Sequence, residues 1–375
     1  MASLVNINSE IHRLLTNSFG FITNKKVIVI ESDDWGSIRM PSNNAFSIIN
    51  NNRLDSTGTC LRFNKYDTLA DKDDLMALFE TLSSFRDTKG NFPVMTALSV
   101  VANPDFDKIR KSDFTQYYYE PFTTTLDRYY PTANPYPLWI EGIQNKLFLP
   151  QFHGREHLNV AVWIQALKLK DVEARIAFDN RLWGFNNRHK YGITYQAAFD
   201  IEDISQLHYQ AEIIKDGLRL FEQLFGYRAS YFVPPNGPFN NQLEAVAASE
   251  GIRFMFAPKI QYEPLGEGKI KKRFHYPGQQ NRHGQYYLSR NCFFEQSEPG
   301  KDWVDGCLND INIAFRFHKP AVISSHRVNY IGALDPANRT RGLQQLKVLL
   351  GTILKTWPDV EFLSSVELGE LMVQS

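Results

Sequence analysis

The chain has 375 residues, 43% of them hydrophobic, which is enough to bury a large α/β core as one domain or two. Lys+Arg and Asp+Glu both number 41, so there is no basic surplus for a phosphate backbone, and nucleic acid is excluded as the main partner. Cys60, Cys292 and Cys307 are odd in number and lack C-x-x-C spacing, which argues against a disulfide framework or a thiolate zinc site.

In chain order, the N-terminal stretch from Met1 to His12 is interrupted by polar residues before any apolar run long enough for a signal-peptide core. Nowhere does an apolar run approach the roughly 18 to 20 residues of a membrane span. The expectation is a soluble, cytoplasmic protein. The run Lys26–Glu31 predicts a strand buried on both faces, as in parallel sheets. Further strands are expected at Phe92–Val101, Leu147–Phe152, Ala229–Val233, Gly251–Ala257, Gln285–Phe294, Ala321–Ser325 and Val360–Leu363. Helical periodicity predicts helices over His157–Lys170, Ile204–Phe225, Asn240–Ser249, Trp303–Phe317 and Arg339–Thr356. This alternation predicts an α/β fold, open or barrel-like. Residues 103–146 interrupt it with nine aromatics from Phe114 to Trp139. That segment reads as an insertion within a single domain spanning 1–375, either packed down by its own rings or presenting them to a sugar.

Polar clusters follow several of these strands directly: Ser32-Asp33-Asp34, His153 to His157, Pro234-Pro235-Asn236-Gly237 and Ser324-Ser325-His326. Ligands bind at the carboxyl ends of strands in such folds, so the clusters can converge on one rim. His153 and His157, four residues apart, would share one face of a helix and can grip one metal ion. Asp33-Asp34 alone also suits a turn or helix cap. At a strand end the two carboxylates diverge, so one can bind the metal while the other faces water. An Asp-His-His set leaves positions open for water and substrate. His326 can protonate a leaving group or bond to backbone.

With their order along the chain, these motifs resemble the polysaccharide deacetylases, the NodB-homology family or carbohydrate esterase family 4. The resemblance covers roughly residues 25–366 and is carried by Ser32-Asp33-Asp34, His153 to His157, Val233-Pro234-Pro235-Asn236-Gly237, Asp302-Trp303 and Ser325-His326. It implies a distorted (β/α) barrel of about seven parallel strands and hydrolytic removal of an N- or O-linked acetyl group from a sugar, oligosaccharide or glycan precursor. It further implies Asp33 as general base, His326 as general acid, and a divalent metal, usually Zn2+, on Asp34, His153 and His157. The backbone N–H of Asn236 is the candidate oxyanion donor. The arginine usual in the third motif is replaced by Val233 and its tyrosine by Asn236, which points to a divergent member. Asp302-Trp303 also reads as a helix cap and a core ring, so Asp302 is not assigned to orienting His326.

Further substrate contacts are expected of Trp35 by stacking on a sugar, of Arg155 through a sugar carboxylate, and of Asn329 beside His326. Each has a structural alternative in packing or pairing. Two rival functions remain. His153-Gly-Arg-Glu-His157 also satisfies H-x-x-E-H, a metallopeptidase pattern with Glu156 as base, which would leave Asp33-Asp34 and His326 without roles. A non-catalytic carbohydrate-binding barrel is the other.

Overall fold

The computed structural model describes Leu14, residues 16–54 and residues 60–374. The stretch read for an export signal and the Cys60 side chain lie outside them. Strand β1 is Val27–Trp35, buried along its whole length, as its unbroken β-branched start requires. It is followed by β2 (Met95–Val100), β3 (Ala102–Pro104), β4 (Tyr119–Pro121), β5 (Phe148–Gly154), β6 (Tyr231–Phe232) and β7 (Phe254–Phe256). The remainder are β8 (Ile260–Gly266), β9 (Lys269–Phe274), β10 (Tyr286–Leu288), β11 (Cys292–Phe293), β12 (Ala321–His326) and β13 (Glu361–Phe362).

Nine of these strands form one sheet in the order β10-β7-β6-β5-β2-β1-β12-β11, with β13 added beside β1. All of its pairings are parallel. The antiparallel pair β3–β4 and the hairpin β8–β9 stand apart from it. The two edge strands, β10 and β11, are consecutive in the chain and separated only by Ser289-Arg290-Asn291. So short a connection spans no more than roughly 14 Å even when extended, so the edges must approach each other and the sheet curls into a distorted barrel with a seam. The single strand expected over Gln285–Phe294 is therefore two strands on opposite sides of that seam.

Helices Gln206–Phe225, Trp303–Arg316 and Pro336–Thr356 pack on the outside of the sheet. Their inward residues Ile214, Phe221, Ile311, Leu346 and Leu350 join Ile28, Ile30, Met95 and Phe152 of the strands in one core. Burying each such side chain contributes about 1.5–3 kcal/mol. Within 103–146, Phe122 and Trp139 are buried in this same core, with Trp139 edge-on to Phe148 at 5.1 Å. No residue of that segment lines the pocket described below. Among the described residues, no helix is long and apolar enough to cross a membrane.

Candidate active site

The carboxyl ends of β1, β5, β7 and β12 surround a cavity of about 630 Å³. Along β1 the register against β2 shifts between Ser32 and Trp35, and Asp34 takes a left-handed φ of 75°, a conformation disfavoured for most side chains and better tolerated by Asp. The irregularity breaks the alternation of the strand, so adjacent Asp33 and Asp34 both line the cavity. It also turns Trp35 into the core, against Phe148 at 4.7 Å and Trp139 at 6.1 Å, with Nε1 donating to Ser32 Oγ. At 1% exposure Trp35 has no face to offer a sugar. The next residue is held to glycine, because a Cβ on Gly36 would stand 2.3 Å from the Val100 carbonyl oxygen.

The histidines do not share a helix face. His153 is the penultimate residue of β5, Gly154 ends the strand with φ 122°, and His157 lies before the helix Val160–Lys168, which starts where Asn159 caps it. Their rings nevertheless meet, with centroids 5.2 Å apart. His153 Nδ1 donates to the Val233 carbonyl at 2.7 Å, which leaves Nε2 as the lone-pair nitrogen. That buried Nε2 has no hydrogen-bond partner among the described residues and lies 3.6 Å from Asp34 Oδ1. His157 Nε2 lies 3.1 Å from the same oxygen. Tetrahedral ligands at about 2.1 Å from a divalent ion are separated by roughly 3.4 Å, so these three buried donors fit one such ion. Burial would raise the Asp34 carboxyl, but the charge of the adjoining His157, with His153 close by, holds it well below the usual range. Burial also lowers the His157 imidazole toward neutrality. Both are the protonation states a metal ligand needs.

Asp33 faces a cation that the sequence reading missed. Arg290, at the seam, grips both Asp33 oxygens, Nη2 to Oδ1 at 2.5 Å and Nη1 to Oδ2 at 2.7 Å, and its Nε donates to the fully buried Glu31 at 2.6 Å. Burial alone would raise Asp33; this bidentate arginine outweighs it and keeps the carboxylate ionised.

His326 ends β12, paired in register with Asp33, and its Nε2 lies 3.9 Å from Asp33 Oδ2. On its other side Nδ1 donates to Glu295 Oε1 at 2.5 Å. Burial opposes the imidazolium, but Glu295 prevails and His326 is pushed up to about 9. Glu295 is held in turn by Arg62 Nη1 at 3.0 Å and Asn329 Nδ2 at 2.9 Å. Asn329 is fully buried, so it positions this pair rather than touching substrate. Glu295→Gln is expected to lower the His326 pKa and move the alkaline limb of the kcat/KM profile down by about one unit or more, with a smaller loss at pH 6. A uniform loss at all pH values would mean that Glu295 does not tune His326.

Asn236 and Gly237, with φ of 59° and 96°, form a left-handed turn on the cavity wall. Arg155 is turned away: it is 7% exposed and paired with Glu156 at 2.7 Å and Asp216 at 3.0 Å. Both Glu156 oxygens accept from Arg155, and Glu156 does not line the cavity, so the peptidase geometry is absent. Asp302 caps the helix Trp303–Arg316, and Trp303 donates to the Glu298 carbonyl, so the motif resemblance there is structural only.

No family model matches the chain, and no curated protein matches it. Among solved structures it is similar to a protein from Mycobacterium smegmatis assigned as a polysaccharide deacetylase, at 9% identity over 95% of this chain and 93% of that one, with a TM-score of 0.45. A Pseudomonas aeruginosa PAO1 protein with the same assignment aligns at 9% identity over 94% and 92%, with a TM-score of 0.48. Puue allantoinase aligns at 11% identity over 95% and 92%, with a TM-score of 0.46. Likenesses this distant leave function to be read from the residues of the site.

Proposed function

We propose that this chain is a metal-dependent hydrolase that removes an acetyl group from a carbohydrate. The observation that carries this reading is the flanking of the buried Asp34-His153-His157 set by an ionised carboxylate, Asp33, and a protonated imidazole, His326. Asp34, His153 and His157 would hold a divalent ion, with zinc suited to this donor set. Such an ion supplies Lewis acidity, polarising an acyl carbonyl and acidifying water.

The remaining chemistry belongs to the chain. Asp33, its geometry fixed by Arg290, accepts a proton as water adds to the acyl carbon. The backbone N–H of Asn236 is assigned to the developing oxyanion. As the bond from the acyl carbon to the sugar nitrogen or oxygen breaks, His326 gives its proton to the departing atom, yielding acetate and the free amine or alcohol. Glu295 keeps that proton in place beforehand.

The test is acetate release from a panel of N- and O-acetylated sugars and oligosaccharides, before and after chelation and with zinc restored. Acetate that disappears with the metal and returns with it is the expected result. Stoichiometric metal with no turnover on any member of the panel would instead favour a carbohydrate-binding protein.

A further inference from the structure

Buried arginines in this chain come with carboxylates. Arg290 has Asp33 and Glu31, Arg155 has Glu156 and Asp216, and Arg327 has Asp67. Arg39 is the exception. It is 7% exposed and lines the cavity, yet among the described residues it makes no ion pair. It is also held in place: Nε donates to Asn64 Oδ1 at 2.9 Å, the guanidinium carbon lies 4.8 Å from the centroid of Phe63, and its stem lies against Gly184. One edge of the guanidinium is thus committed, while its Nη donors have no acceptor among the described residues. The nearby Asp67 is engaged by Arg327 through both Nε and Nη2.

The nearest counter-charge to Arg39, Asp67, is shared with and contacted by Arg327; a desolvated cation so weakly compensated is costly to keep, and a rigid guanidinium fork matches the geometry of carboxylates and phosphates. The Phe63 ring that Arg39 covers also stands edge-on to His326, with centroids 5.3 Å apart. An oxyanion at Arg39 and an acyl group beside His326 therefore belong to one sugar or to adjoining ones. At the rim, Lys272 lies 5.8 Å from the ring of Tyr262, which also lines the cavity, and adds attraction for an anion. Resting on the deacetylase reading, we propose that Arg39 binds an oxyanion of the substrate, so that the acetylated sugar or its neighbour carries a carboxylate or phosphate. This is the contact expected of Arg155 from sequence, supplied by another arginine.

The test compares kcat/KM for an acetylated amino-sugar disaccharide bearing a free carboxylate, its methyl ester, and a phosphorylated counterpart. The proteins are wild type, Arg39→Gln and Arg39→Lys, with metal content and circular dichroism confirming the fold. Wild type should favour one anionic substrate over the ester, and which one identifies the anion. Arg39→Gln should cut that ratio about 10- to 100-fold, through KM, as expected for hydrogen bonds to a charged group. Arg39→Lys should recover part of it. An equal loss on all three substrates, or no preference in wild type, overturns the proposal. If no substrate yields acetate, the deacetylase reading fails. Calorimetry with glucuronic acid, its methyl ester and glucose 6-phosphate then decides the role of Arg39: anion preference lost in Arg39→Gln supports it, and equal binding by wild type and variant overturns it.

Discussion

Asp33→Asn is expected to keep its metal and its fold while acetate release falls by about 10²- to 10⁴-fold, the range lost when a positioned general base is removed. The metal stays because Asp34, not Asp33, belongs to the donor set with His153 and His157. The fold stays because the amide is isosteric and Arg290 retains Glu31 as its counter-ion. Elemental analysis and steady-state kinetics on one preparation separate the two carboxylates. Undiminished turnover in Asp33→Asn would remove Asp33 from the chemistry.

Arg290→Met should act on stability as well as activity. The substitution leaves Glu31 and Asp33 buried without their shared cation, and breaking a buried pair by removing one partner costs about 3–5 kcal/mol. Urea denaturation should show this as a lower midpoint. Acetate release should also fall, because Asp33 loses both the charge that keeps it ionised and the fork that aims it. Arg290→Lys keeps a charge without the fork and should recover more stability than activity. An unchanged midpoint in Arg290→Met would contradict the role given to the seam.

Much of the fold was legible because strands covered on both faces read as unbroken apolar runs, and residues directly after them fall on the barrel rim. Asp33, Asp34, His153, His157, Asn236 and His326 are all singled out this way, and the structure places them on the lining of one cavity. Three kinds of information were not local. Arg290 sits inside Gln285–Phe294, which reads as one strand until the sheet order shows its halves on opposite edges. Trp35 was misplaced because a register shift in β1 cannot be read from hydrophobic pattern alone, and a regular strand would have put it on the same side as Asp33. Arg155, expected at the substrate, is instead paired with Glu156 and Asp216 away from the cavity, because pairing and position in the fold, not residue type, decide which arginine can reach a ligand. Glu295 carried the same signal as the other site residues, an acid just after the apolar run that ends at Phe294, and could have been found by it.

The central claim is that Asp34, His153 and His157 together hold a catalytic metal. Elemental analysis of purified wild type, Asp34→Ala and His157→Ala, with acetate release followed on the same samples, tests it most directly. The account predicts about one divalent ion per wild-type chain, and loss of both metal and acetate in each variant. Metal retained at wild-type stoichiometry in Asp34→Ala would contradict it.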